Sequence, residues 1–358
     1  MADAVVGETV SEPGGAGRRG GVLQVGALRE SLTTRLHAAF DVLTLASLAP
    51  EGKAELGEDA GDIRVVVTGH AGANRELIEA LPALRAIVCS GAGFEHVDVQ
   101  AAIDHGVGVS NTADVLADSV ADAAVGLVID TMRGLTAADR YVRSGRWPRE
   151  EAFPLTHRVS GARVGVLGLG QIGRAIARRL AAFDCPIGYH SRSAKPDAAA
   201  YSYLASPVEL ASWADVLVVS VPGDASTNGM VDETVLTALG ESGVLVNVSR
   251  GSVVDEPTLT HFLENGRLRG AGLDVFANEP HVPDSLMVME NVVLLPHVAS
   301  GTVETRKSMD QLVLDNVRSC LGGDGLVSPI PGSYDVQKIS IRASTAVRDP
   351  TAEGRSGG

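Results

Sequence analysis

Aromatic residues are scarce in this chain: Phe, Trp and Tyr together make up 4% of its 358 residues. A pocket that stacks a ring therefore has few side chains to draw on. Cysteine is scarcer, with Cys89, Cys185 and Cys320 alone. Their odd number and scattered spacing, without a CxxC pair, argue against a disulfide framework or a structural metal centre and for reduced thiols. Positive charge is in deficit, 30 Lys and Arg against 44 Asp and Glu, for a net charge of −14. That balance argues against a broad basic surface for nucleic acid or anionic membrane, so an anionic substrate must be caught by a few local groups. Long apolar runs are missing as well, and MADAVVGETVSEPGGAGRRG at the N-terminus has no hydrophobic signal core. The expectation is a cytoplasmic protein with no metal, no nucleic-acid partner and no membrane partner.

What the chain does have is a rhythm of short apolar runs and helix-like stretches. VLQVG, RVVVTG, AIVCSG and GVGVSN form one series; RVGVLGLG, PIGYHS, VLVVSVP, GVLVNVSR, AGLDVF and VVLLPH form a second. Each run is nearly continuous in apolar content, and most end at or are followed by Gly, Ser or Asn, as parallel strands buried on both faces do. Two α/β units are expected, separated by Asp118 to Trp147, which reads as one or two helices capped by Asp118 or Ser119. Val120, Ala124, Leu127 and Val128 in that segment suit a domain junction, a dimer contact or plain core packing. Residues 1–20 and 332–358 lack a core-forming pattern and are expected to be flexible.

The strand-to-helix passage RVGVLGLGQIGRAIARRL carries Gly168-x-Gly170-x-x-Gly173. A lone GxGxxG is weak evidence, but here a strand precedes it and an Ala-rich helix follows. In that context Gly168 permits the tight turn, Gly170 lets the backbone approach a pyrophosphate, and Gly173 packs helix on strand. Helix-start N–H groups then face the phosphates. At the end of the next strand, where an NAD enzyme carries an acid for the ribose hydroxyls, stand Ser191, Arg192 and Ser193. An acid there repels a 2′-phosphate, whereas a guanidinium between two hydroxyls binds one, so the expected cofactor is NADP(H).

Three further strand ends carry polar groups: VNVSRG with Arg250, GLDVFANEP with Asp274 and Glu279, and LLPHVASGT with His297. Singly each is ambiguous. Together they fit hydride transfer to a 2-oxo acid, which needs a cation for the carboxylate and a proton donor for the oxygen that becomes an alkoxide. Arg250 suits the first role and His297 the second. Glu279, if bonded to the imidazole, favours the protonated ring, and Asp274 suits the nicotinamide end of the cofactor.

From about Val22 to Pro331 these ordered motifs resemble the D-isomer-specific 2-hydroxyacid dehydrogenases, and within them the plant-type hydroxy(phenyl)pyruvate and glyoxylate/hydroxypyruvate reductases. The resemblance implies two Rossmann-like α/β domains, one flavodoxin-like and one dinucleotide-binding, with a cleft between them. The substrate-binding domain would be discontinuous, 21–113 and 299–331, and the coenzyme domain 114–298. It implies Arg250, Glu279 and His297 as the catalytic trio. The implied cofactor residues are Gly168, Leu169, Gly170, Gln171, Ile172 and Gly173, then Ser191 to Ser193, Pro222, Thr227, Val248, Ser249, Arg250 and Asp274. Substrate would meet Ser90, Ala92 and Gly93 of CSGAGFEHVDV, with Arg250 and His297. A homodimer is implied, with Trp147 of the SGRWPREEAF connector reaching toward the partner's substrate cleft; the connector taken alone is equally open to a packing anchor. The chain departs from the family pattern at Ala113, where Pro is usual, at Glu95, where Asp is usual, and at Asp224, where Thr is usual. Asp224 is expected to repel the pyrophosphate. The competing reading is a dinucleotide-sensing interaction protein of corepressor type on the same fold, from which the NADP-type Ser191 to Ser193 site points away.

Overall fold

The computed structural model describes residues 21–46, 48, 57–149 and 152–333. The segments 1–20 and 334–358, where flexible ends were expected, lie outside the described residues. At the last described residues, the Ser333 hydroxyl accepts the Val109 N–H at 2.7 Å, and Ile330 N–H donates to Val109 O at 2.9 Å.

The apolar runs form two parallel sheets. The first holds β1 (Val22–Val25), β2 (Val42–Leu45), β3 (Val65–Thr68), β4 (Ala86–Cys89) and β5 (Gly108–Ser110) in the order β2-β1-β3-β4-β5. That is the flavodoxin-like order. Helices α1 (Glu30–Ala39), α2 (Arg75–Ala80) and α3 (Val99–Asp104) accompany it. The second sheet holds β6 (Val164–Leu167), β7 (Ile187–His190), β8 (Ser202–Tyr203), β9 (Val216–Val219), β10 (Val244–Asn247), β11 (Gly270–Leu273) and β12 (Val292–Leu294). Its order, β12-β11-β10-β9-β6-β7-β8, reverses direction between β6 and β9. In such sheets ligands bind beyond the carboxyl ends of the strands at that reversal.

Two strands escaped the sequence reading, β2 and β8, and both are edge strands. An edge strand has one neighbour and less cover: the residues of β8 are exposed and most of β2 is only partly buried, so neither shows the continuous apolar run of β6 or β9. The helix expected to be capped by Asp118 or Ser119 starts otherwise. Helix α4 (Ala117–Arg133) has Leu116 at its N-cap, with no side-chain cap. The 3₁₀ turn Ala113–Val115 runs into it with Leu116 already helical, so no extended residue is left for a capping side chain. Asp118 instead pairs with Arg178 and Arg179, and Ser119 bonds Thr302 and Thr305. Gly134, at φ 58°, ends α4 and starts α5 (Leu135–Arg143).

The chain divides into two compact units. One takes the described residues up to Val88, Val97–Ser110 and those from Leu314 onward; the other takes Cys89–His96 and Asn111–Val313. The loop after β4 thus goes with the larger unit. In that unit the sheet is covered on both faces. Val164, Val166, Val216, Val218, Val244 and Val246 meet Ala121, Ala124, Leu127 and Val128 of α4 and Ile176 and Leu180 of α6 (Gln171–Ala181). Leu167, Leu217, Val219, Leu245 and Leu273 face the helices α7 (Pro207–Trp213), α8 (Glu233–Leu239) and α9 (Glu256–Glu264). Val120, Ala124, Leu127 and Val128 are therefore core residues. The short α10 (Asp284–Val288) and the long α11 (Val303–Gly322) are the last helices among the described residues. All three cysteines are buried with free thiols, and burial pushes the Cys89 thiol up to about 12.

Candidate active site

Register fixes where the functional loops emerge. Leu167 of β6 pairs with His190 of β7 and Val219 of β9, so the Gly168 loop, Ser191 to Ser193 and Pro222 to Thr227 leave one edge of the sheet together. Asn247 of β10 pairs with Leu273 of β11, and Leu273 with Leu294 of β12, so Arg250, Asp274 and His297 leave that same edge.

At the glycine loop, Gly168 turns with φ 99°, a region closed to most side chains. A methyl group on Gly173 would overlap the Gly168 carbonyl oxygen, so helix α6 lies directly on the turn. Around Gly170 the space where a side chain would stand is open. Gly170 is also the N-cap of α6 and supplies no side-chain cap, so the first-turn N–H groups point outward as an anion cradle. Leu169 is buried, Ile172 packs on the core, and the Gln171 amide donates to Asp114 at 2.7 Å. Arg192 is exposed, and the Ser191 hydroxyl donates to Ser193 O at 2.7 Å, closing the loop around it. These features fit a dinucleotide with a 2′-phosphate: open glycine, free N–H groups, and a cation in place of an acid.

Asp224 is ordered by its own loop. Its carboxylate accepts the Ser226 N–H at 2.8 Å and the Ser226 hydroxyl at 2.6 Å, and these bonds, with help from the Arg192 charge, hold it below the usual carboxylate range. The Thr227 hydroxyl donates to Pro222 O at 2.7 Å, tying the loop's ends. The buried Ser249 hydroxyl donates to Val221 O, and Val248 is buried behind it.

His297 and Glu279 meet directly, Nδ1 to Oε2 at 2.7 Å. A carboxylate only accepts, so Nδ1 carries the proton of this bond and Nε2 is left for chemistry. The other Glu279 oxygen accepts the Phe276 N–H at 3.1 Å, which fixes the carboxylate. The His297 backbone sits at φ 54°, a left-handed conformation that costs a non-glycine residue on the order of 1–3 kcal/mol. Asp274 holds it there. The Asp274 carbonyl accepts the His297 N–H at 2.9 Å, and its two carboxylate oxygens accept the N–H groups of Val298 at 2.8 Å and Ala299 at 2.9 Å. Asp274 is 1% exposed, and that burial pushes its carboxyl above the usual range despite these bonds.

Arg250 is held on two sides: its Nε donates to Glu95 Oε1 at 2.7 Å and its Nη1 to Ser249 O at 2.8 Å. Burial raises the Glu95 pKa, but the Arg250 hydrogen bond and charge prevail and hold it below the usual range. Gly93 packs on this ion pair, Ala92 O accepts the Asn111 amide at 2.7 Å, and Ser90 is buried at the base of the loop. Three supports went unseen in the sequence. One is Glu95 itself, noted only as a departure. Another is Asn247, whose side chain accepts the Ser249 N–H and donates to Arg250 O, both at 3.0 Å. The third is Gly251, where a methyl group would overlap the Phe276 and Ala277 backbone, so the Arg250 turn lies against the loop that carries Glu279. The Asn and Gly of VNVSRG were the available signals. Trp147 is 67% exposed and lies apart from this cluster: its neighbour Arg146 pairs with Glu290, just before β12, at the opposite end of that strand from His297.

A coenzyme cradle at the sheet reversal, with a paired histidine and carboxylate and an arginine along the same edge, defines an oxidoreductase on a nucleotide-binding fold. Comparison with known proteins agrees. Residues 125–299 match the model of the D-isomer specific 2-hydroxyacid dehydrogenase, NAD binding domain. The chain is 46% identical over 311 residues to glyoxylate/hydroxypyruvate reductase A of Arabidopsis thaliana, covering 87% of this chain and 98% of that one. It is 47% identical over 311 residues to hydroxyphenylpyruvate reductase of Plectranthus scutellarioides, with the same coverage. Among solved structures, the NADPH-dependent glyoxylate/hydroxypyruvate reductase of Sinorhizobium meliloti, in complex with NADP and malonate, superposes with a TM-score of 0.82 at 41% identity, over 89% of this chain and 98% of that one. The chain belongs to the D-isomer specific 2-hydroxyacid dehydrogenase family. It is an NAD(P)-binding oxidoreductase, and the corepressor-type alternative is not favoured.

Proposed function

We propose that this chain reduces 2-oxo acids of the hydroxypyruvate, glyoxylate and hydroxyphenylpyruvate type to D-2-hydroxy acids with NADPH, His297 serving as general acid. The observation that carries this reading is the 2.7 Å pair of His297 and Glu279 on the sheet edge from which Arg250 also emerges. The named relatives support the substrate class, and the NADP complex of the Sinorhizobium meliloti enzyme supports the coenzyme.

The backbone at Leu169 to Ile172 would hold the pyrophosphate and Ser191 to Ser193 the 2′-phosphate, with Val248, Ser249 and Asp274 nearer the nicotinamide. When bound, the coenzyme supplies the hydride. The chain's own residues do the rest. Arg250 holds the substrate carboxylate, aided by the Ala92 and Gly93 N–H groups, and polarises the carbonyl. His297 gives its Nε2 proton to the carbonyl oxygen while Glu279 stabilises the charged ring and fixes its orientation. The division of labour expected from the sequence, 21–113 with 299–331 for substrate and 114–298 for coenzyme, is part of this proposal. So is a homodimer in which the exposed Trp147 serves the partner's site; sedimentation showing a fully active monomer would exclude that part. For the activity, NADPH and NADH are compared over a panel of 2-oxo acids and the product is resolved by chiral chromatography. The D-product from the acids that give a chiral product (glycolate from glyoxylate is achiral), with NADPH preferred, is expected; an L-product, or equal efficiency with NADH, would refute the stereochemical or the coenzyme assignment.

A further inference from the structure

The ion pair of Arg250 and Glu95 sits on the wall of a cavity of about 360 Å³. The charged residues of its lining are Arg250, Glu95 and Asp224, two carboxylates to one cation. Glu95 and Asp224 are both held below the usual carboxylate range: for Glu95, burial opposes ionisation and Arg250 overcomes it, and for Asp224 the Ser226 bonds dominate. Both are therefore charged at neutral pH. Arg250 has its Nε on Glu95 and its Nη1 on Ser249 O, and Gly93 packs closely against Nη2 and the Glu95 carboxylate. One cation can hold one substrate carboxylate. Among the described residues, a second carboxylate entering this cavity would find no other cation in its lining and two like charges.

We propose that Glu95 is a specificity-determining residue: its carboxylate, fixed on Arg250, favours 2-oxo acids with an uncharged side chain and disfavours those with a second carboxylate. The inference rests on the 2-oxo acid reductase reading and adds a selectivity to it. It is a case of specificity through a repulsive element. Glu95 is at the same time a positioning residue for Arg250, because it accepts a hydrogen bond from the guanidinium that binds substrate.

Positioning and selectivity separate in a ratio. kcat/KM is measured for hydroxypyruvate and for oxaloacetate at saturating NADPH, in the native protein and in Glu95→Gln and Glu95→Ala. Gln keeps an acceptor for Nε and removes the charge, whereas Ala removes both. The oxaloacetate-to-hydroxypyruvate ratio is expected to rise at least about tenfold in both variants, the scale of a nearby like charge in a partly desolvated site. Absolute rates should fall further in Ala than in Gln. In the native protein the same ratio should rise as salt screens the repulsion, a readout that needs no variant to fold. NADPH binding by fluorescence checks each variant's integrity. Turnover with an unchanged ratio in the variants, whatever the native protein's response to salt, would overturn this inference alone. Failure of the native protein to reduce either acid would overturn the functional reading and this inference with it.

Discussion

Arg192 is an exposed cation whose loop is closed by a serine hydroxyl, and Asp224 lies within its electrostatic reach. On the proposed coenzyme assignment, the two would make opposite contributions to a bound 2′-phosphate. Arg192→Ala should raise the NADPH KM on the order of tenfold or more, with the NADH KM little changed, since a charge-assisted hydrogen bond is lost. Asp224→Asn should lower the NADPH KM about two- to fivefold, the scale of a relieved surface charge interaction. Steady-state titrations with both coenzymes check both outcomes. The placement of Arg192 was legible because strand, glycine loop and second strand follow one another in sequence. The Arg192–Asp224 coupling was not, since the residues come from different strand ends and meet through sheet order alone.

Between β11 and β12, one residue secures the geometry of another. Asp274 satisfies three successive N–H groups and keeps His297 in its left-handed conformation. Asp274→Ala should therefore destabilise the protein by about 1–3 kcal/mol through the orphaned Val298 and Ala299 N–H groups, and lower turnover as well, because the imidazole loses its fixed aim. Urea denaturation and kcat on the same preparation check this; loss of NADPH affinity alone, with stability and kcat retained, would leave Asp274 only its coenzyme role. In the smaller unit, Asn316 is fully buried, accepts the Val327 and Ser328 N–H groups at 2.9 and 3.1 Å and donates to the Ser328 hydroxyl at 3.0 Å. The central strands of both sheets were legible because cover on both faces demands continuous apolar runs. The edges β2 and β8 were not, because their residues answer to solvent on one side. The start of α4 misled because Asp118 and Ser119 have the chemistry of caps, yet the preceding turn had already made the backbone helical.

Taken whole, the molecule carries a net charge of −14, and several of its carboxylates depend on cationic partners. Asp215 is held below the usual range by its hydrogen bonds to Arg163, and Asp197 by Arg174. A depressed folded-state pKa stabilises above the unfolded value, near 3.9 for Asp, and that stabilisation disappears as pH falls through the folded value. Thermal stability should thus hold from neutral pH down to about pH 4 and decline below it. Arg163→Leu should reduce the part lost in acid, by less than about 1 kcal/mol because the pair is half exposed. Melting curves between pH 6 and pH 2.5 test this, and a profile that rises toward acid would contradict it. The role of His297 is tested most directly by NADPH oxidation driven by hydroxypyruvate in the native protein and in His297→Ala. The native protein should turn over, and the variant should lose at least about a hundredfold in kcat while still binding NADPH. Equal turnover in the two proteins would contradict the assignment of His297 as the proton donor.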